Sequence, residues 1–383
     1  MIYFDHNATA PLHAVARDAW LAAAEQFPGN PSSLHRLGGR ADAALTDARQ
    51  RLAKLIHCDA ADIVFTSGAT ESANLVLHHY ARALAKDATV WISAIEHPCV
   101  TDAAAYHFGN RLRLIPVQPS GIIDLAWLEN ELQPWRPGLV AVMAANNVTG
   151  VLQPWREALE LCRRHDVPFF CDAVQWIGRE PAADLGECDW LSGCGHKAGS
   201  PRGIGFLKCS SQGRITPLLL GGPQEDGCRA GTENVAGALA MVALLELRER
   251  QANDLTERRG WRSEFCKRLC LRLPGTEIVE NGTDTLWNTV AALMPETDCP
   301  NRWAVKLDKL GFAVSMGSAC SSGKEEPSPV LLAMGLPPEK ASRMLRFSAG
   351  WETSEADWRR LLDGVLTAAR ELTTGRISHS RSS

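Results

Sequence analysis

With 383 residues, 45% of them hydrophobic and 22% charged, the chain has an ordinary globular composition and is long for one hydrophobic core, so two domains are expected. A net charge of −4 argues against direct binding to a nucleic-acid backbone, and the lack of any apolar run of about 18 residues excludes a membrane-spanning helix. The twelve cysteines include no C-x-x-C pair and no Cys/His ligand array, which argues against a metal site and for a reducing, cytoplasmic setting with most thiols buried as small hydrophobes.

The opening "MIYFDHNATAPLH" lacks the basic start and apolar stretch of a signal peptide. "RADAALTDARQRLAKLI" has helical periodicity and leads into the strand-like "DIVFTSG". The runs "ATVWISAIEH", "RLRLIPV", "LVAVMAANN", "VPFFCDAVQ" and "GIGFLKC" follow, with helical segments such as "WREALELCRRHD" between several of them. Strands alternating with helices predict an α/β fold, a mainly parallel sheet flanked by helices. From 235 to 273 the pattern reads as one long helix or a broken pair joining two domains. Beyond it "NTVAALM" and "GFAVSM" read as strands of a smaller α+β unit, and "SEADWRRLLDGVLTAAREL" as an amphipathic helix with Ser354 at the N-cap and Asp357 at N3. The expected division is a large domain over 14–250 and a small C-terminal domain over 251–383, with segment 1–13 packing on the small one.

Ligands of parallel sheets bind beyond the carboxyl ends of the strands, and the polar clusters of this chain follow its strand runs. "TSGATES" offers backbone N–H groups and hydroxyls at a helix start, a natural phosphate cup. "FFCDAVQ" ends an apolar strand on Asp172, a carboxylate that needs a partner there. "CGHKAGSPRGIG" sets Lys197 beside a histidine and between glycines. A phosphate cup, an aspartate and a lysine match the three fixed points of pyridoxal 5′-phosphate: phosphate, ring nitrogen and aldehyde. Each feature alone has an ordinary reading, a capped helix, a strand-end cap or a solvated lysine. "VSMGSACSSGKEEPSPV" adds Cys320 on a loop of small residues that packs little and can move.

The ordered set "YFDHNATAPL", "GNPSSLHRLG", "FTSGATESANL", "EHPCV", "ANNVTGVLQP", "CDAVQ", "GHK" with "PRGIG", "RAGTENV", "GSACSSGKEEPSPVL" and "RFSAG" resembles the NifS/IscS-type cysteine desulfurases, from Tyr3 to Trp351. These belong to the class V aminotransferase group with the fold-type I architecture of pyridoxal phosphate enzymes. The resemblance implies conversion of L-cysteine to L-alanine, the sulfur passing to Cys320 as a persulfide for delivery to an acceptor protein. It implies that Lys197 bonds the cofactor aldehyde and moves the α-proton, Asp172 partners the ring nitrogen, Gln175 the phenolic oxygen, and His97 stacks on the ring and shuttles protons. Ala69, Thr70, Cys194 and His196 would hold the phosphate, and Thr232 would reach the phosphate of a second subunit, which implies a homodimer. Asn147 would touch cofactor and substrate, and Arg346 would clamp the substrate carboxylate with its planar fork.

Three positions depart from that pattern: Val148 replaces a glutamate, Cys194 a phosphate-binding serine, and Trp351 an arginine. Ser192, close by in sequence, is a candidate to supply the hydroxyl missing at Cys194. A selenocysteine lyase, an aminotransferase and a non-catalytic cofactor-binding scaffold stay open as alternatives. So does the acceptor, since iron–sulfur assembly, tRNA thiolation and DNA phosphorothioation would share one active site.

Overall fold

The computed structural model describes residues 1–210, 215–280, 282–297, 301–316 and 327–379. Its larger sheet has seven strands in the order Ile63–Thr66, Gly205–Cys209, Trp190–Cys194, Phe169–Asp172, Leu139–Ala141, Val90–Ser93, Leu112–Ile115. Gly205–Cys209 runs antiparallel to both of its neighbours and the remaining pairings are parallel. Helices cover both faces, which is why the strand sequences are almost continuously apolar. Phe169 and Cys171 point into one core and Phe170 into the other, following the period of two along a strand. On the first face the helix Arg36–Ile56 buries Ala41, Leu45, Ala48, Leu52 and Ile56, one apolar stripe at helical spacing.

The smaller sheet is antiparallel, in the order Ser315–Met316, Met344–Ser348, Thr289–Leu293, Glu277–Ile278. It has its own core around Phe4, Phe265, Trp287, Phe347 and Trp358. The stretch 235–273 is a broken pair, Val235–Gln251 and Thr256–Arg272. Asp254 Oδ1 accepts from Thr256 N at 3.0 Å, closing the turn between them. The first helix packs against Ala14–Gln26 and Arg36–Ile56, the second against Glu355–His379. Ser354 and Asp357 form a reciprocal capping box: Ser354 Oγ accepts from Asp357 N at 3.2 Å and Asp357 Oδ2 accepts from Ser354 N at 3.0 Å. The N-terminus joins the smaller unit, with Ile2–Tyr3 pairing in parallel with Phe312–Ala313 and Asp5 bridging to Ser348.

Glu180, 4% exposed, makes an ion pair with Arg259 of the second helix at 3.0 Å. Burial pushes its carboxyl up to about 7 against the pull of Arg259. The folded chain therefore keeps a proton on Glu180 that the unfolded chain releases near the ordinary value of 4.5. Since the folded state binds more protons between those values, this carboxyl's contribution is full below 4.5 and is lost as pH rises to about 7. The expected loss across that window is on the order of 3 kcal/mol. Urea unfolding of Glu180→Gln against pH should lack this component; identical slopes in both chains would refute it.

Candidate active site

A cavity of about 470 Å³ opens where the parallel strands of the larger sheet end. Five of its strands each deliver a group to it. Trp190–Cys194 leads to Cys194, His196 and Lys197, Phe169–Asp172 to Asp172 and Gln175, and Leu139–Ala141 to Met143 and Asn147. Val90–Ser93 leads to His97 and Cys99, and Ile63–Thr66 to Ser67, Gly68, Ala69 and Thr70. Ala8 and Thr9 of the N-terminal segment complete the wall.

Lys197 Nζ donates to the carbonyls of Asn7 at 2.6 Å and Ala8 at 2.8 Å. Asp172 Oδ1 accepts from Val174 N at 3.0 Å and from Ser192 Oγ at 3.2 Å. Burial raises the Asp172 carboxyl above the ordinary range, while the Val174 amide, His97, the Ser192 hydroxyl and Lys197 draw it back. Ser192 is thus spent on Asp172, which corrects its expected part beside Cys194. Cys194 is 3% exposed, and burial pushes its thiol up to about 11 against the pull of Lys197.

His97 caps the helix Pro98–Phe108 with its ring: Nδ1 accepts from Cys99 N at 3.2 Å and lies 3.1 Å from Cys99 Sγ. An amide can only donate, so the neutral ring carries its proton on Nε2. His196, whose Nδ1 lies 3.1 Å from Thr9 Oγ1, is lowered to about 4 by burial and then by Lys197, and is neutral at pH 7. Ala69 and Thr70 open a fifteen-residue helix, whose first amides have no intrahelical acceptor. Gly205 is needed beside them, since a Cβ there would meet Gly68 Cα at 2.6 Å.

Asn147 lines the cavity, and its carbonyl accepts from Arg346 Nη1 at 2.9 Å. Arg346 itself is not a lining residue; its side chain is 2% exposed and pairs with Asp5 at 2.8 Å. Thr232 is exposed on the single chain and outside the cavity. Cys320 lies outside the described residues. The helix Pro329–Ala333 follows that stretch, and its Val330 and Leu331 share an apolar cluster with Val148. Val148 therefore packs where a glutamate would place a charge. Trp351 also lies off the cavity, donating Nε1 to the Gly178 carbonyl at 2.8 Å with its ring 4.8 Å from that of Trp287.

Sequence reasoning missed Asp5, Glu96 and Cys99. Glu96 is 5% exposed; its Oε1 accepts from Met143 N at 2.7 Å, and its Oε2 has no hydrogen-bond partner among the described residues. Burial, and then the charge of Asp172, push its carboxyl well above the ordinary carboxylate value. The acidic residue of "EHP" was visible, but nothing in one sequence says that it is buried beside Asp172.

The sequence pattern of the family "Aminotransferase class-V" matches residues 2–361. The chain is 36% identical over 362 residues to the cysteine desulfurase of Klebsiella pneumoniae, covering 93% of this chain and 89% of that one. Its fold superimposes on a NifS-like protein with a TM-score of 0.88 at 28% identity, covering 97% of this chain and 100% of the other. It superimposes on SspA, solved in complex with cysteine, with a TM-score of 0.78 at 27% identity, covering 91% and 98%.

Proposed function

Because the chain belongs to the class-V aminotransferase family and, within it, to the cysteine desulfurases, we propose that it converts L-cysteine to L-alanine and leaves the sulfur on Cys320 as a persulfide for an acceptor protein. The observation that carries this reading is the meeting of Lys197, Asp172 and an open helix N-terminus in one cavity of about 470 Å³.

The residues fit pyridoxal 5′-phosphate. Gln175 lines the cavity with its Oε1 buried and without a hydrogen-bond partner among the described residues, a cost that a ligand group would relieve. Ala69, Thr70 and neutral His196 would hold the phosphate by hydrogen bonds, with Cys194 beside them as a weaker donor than a serine hydroxyl. Asp172 would keep the ring nitrogen protonated, and Lys197 would carry the aldehyde. When bound, the cofactor supplies an electron sink for negative charge at the substrate's Cα.

Lys197 would take and return the α-proton, and His97 would exchange protons through Nε2. Arg346 would bind the substrate carboxylate, next to Asn147. Cys320, as thiolate, would accept the sulfur; its stretch of Ser and Gly suits a group that must meet the substrate and then an acceptor. Thr232, exposed on the single chain, would serve the cavity of a second copy in a homodimer. A cytoplasmic setting is supported by free thiols at the described cysteines, and among the described residues no helix is long and apolar enough to cross a membrane.

The test is to load the purified chain with pyridoxal phosphate, add L-cysteine, and quantify alanine, sulfide and persulfide-bearing peptides. Alanine should form with sulfane sulfur on the Cys320 peptide. A keto acid in place of alanine, or alanine without any protein persulfide, would overturn the proposal.

A further inference from the structure

The N-terminal segment enters the site from outside the sheet that builds it. Residues 5–8 form a turn in which the Asp5 carbonyl accepts from Ala8 N at 3.1 Å. One side of this turn holds Lys197 Nζ through the carbonyls of Asn7 and Ala8. The other holds Arg346, whose Nη2 donates to Asp5 Oδ1 at 2.8 Å. The two cations assigned above to cofactor and substrate are therefore both held by one short stretch of chain.

The bond to Arg346 is incomplete. Its Nη1 donates to the Asn147 carbonyl and its Nη2 to Asp5, but its Nε is buried without a hydrogen-bond partner among the described residues. Nε and Nη2 form the lateral edge of the guanidinium, on which a carboxylate can sit with two parallel bonds. Asp5 takes one of those two places. The Asp5 side chain is 22% exposed and that of Arg346 is 2% exposed, so the carboxylate can swing into water while the guanidinium stays. Asn147, which accepts from Nη1, lines the cavity, so the guanidinium sits one residue behind the space a substrate would fill.

We propose that Asp5 is a specificity-determining residue that occupies the carboxylate edge of Arg346 until the α-carboxylate of the amino-acid substrate replaces it. This rests on reading Arg346 as the carboxylate clamp. Substrate binding is then an exchange of partners. The incoming group wins by making two bonds where Asp5 makes one, and a substrate whose carboxyl is masked as an amide brings neither the charge nor the second acceptor oxygen to the exchange. A tethered carboxylate competes at an effective concentration in the millimolar range, so removing it lowers KM roughly threefold to tenfold.

The experiment compares Asp5→Asn and Arg346→Lys with the wild-type holoenzyme in KM and kcat for L-cysteine. It also follows the thermal unfolding of cofactor-free Asp5→Ala in acetate, with chloride at equal ionic strength as control. Asp5→Asn should lower KM by more than it changes kcat, and Arg346→Lys should raise KM. Acetate should raise the Tm of Asp5→Ala above its effect on the wild type, because it fills the vacated edge. If Arg346→Lys leaves KM unchanged, the clamp reading falls and the proposal with it. If Arg346→Lys raises KM but Asp5→Asn raises it too or leaves it alone, the clamp stands and the exchange is wrong. A failure of acetate to act on Asp5→Ala overturns the exchange independently of turnover.

Discussion

Lys197→Ala should abolish turnover, with a fall in kcat on the order of 10⁴-fold or more. Two functions go together: the amine that carries the cofactor aldehyde and the base that handles the α-proton. Among the described residues no other lysine lines the cavity to carry the aldehyde. Arg202 lines the same cavity, but a guanidinium does not deprotonate at working pH, and His196 is lowered to about 4 and shares its Nδ1 with Thr9. The wild-type chain loaded with pyridoxal phosphate should be yellow, and the mutant should lose the lysine-bound component of that spectrum. The fold should survive, since Lys197 lines the cavity and its Nζ bonds to two backbone carbonyls of the N-terminal turn. An exogenous primary amine should restore part of the proton-transfer function. Wild-type-like activity in Lys197→Ala, or a colourless loaded wild type, would defeat the assignment.

Cys320→Ser should bind cofactor and L-cysteine but stop producing persulfide, with alanine formation reduced by about 10³-fold or more. A hydroxyl at neutral pH is not a thiolate, and only the thiolate attacks sulfur well. The cavity already contains two other thiols, which makes the mutant informative. Cys99 and Cys194 both line it, and both are poor stand-ins. Burial pushes Cys194 up to about 11, and Cys99 is pushed higher still by burial and by the charges of Asp172 and Glu96. At pH 7.5 a thiol at about 11 is less than ~0.1% ionised. Peptide mapping should therefore find sulfane sulfur on Cys320 in the wild type and at neither cavity thiol in the mutant. Persulfide on Cys99 or Cys194 with activity retained would show that the acceptor is a cavity thiol.

The parallel part of the fold was readable because strands buried on both faces leave long apolar runs, and the polar residues at their ends had one direction in which to point. Asp172, Gln175, His97, Asn147, Cys194, His196 and Lys197 each follow such a run, so a shared sheet edge was implicit in the order of elements. The antiparallel course of Gly205–Cys209 was not readable, because its composition resembles that of its parallel neighbours. Nor were the pairings that join distant ends of the chain. Asp5 and Arg346 lie 341 positions apart, and neither local propensity nor periodicity carries information across such a gap. Burial was the other blind spot. "EHP" drew attention to its histidine, while the carboxyl next to it became unusual only once the sheet enclosed it. Trp351 and Val148 looked like losses at an active site; in the fold they are packing residues, one bonding to Gly178 and packing at a tilt against Trp287, the other filling an apolar cluster.

The pairing of Ile2–Tyr3 with Phe312–Ala313, and of Asp5 with Arg346, has a consequence for biosynthesis. Residues 2 to 5 leave the ribosome long before the residues on which they close. The larger sheet can assemble once residue 209 has emerged, but the turn that holds Lys197 has no partner strand until the smaller sheet is made. A nascent chain thus carries its lysine, its aspartate and its anion-binding helix start long before the segment that aligns them is anchored. The order of synthesis keeps Asp5 and Arg346 apart until the smaller sheet has emerged, so the proposed substrate clamp is among the last parts of the site to take shape.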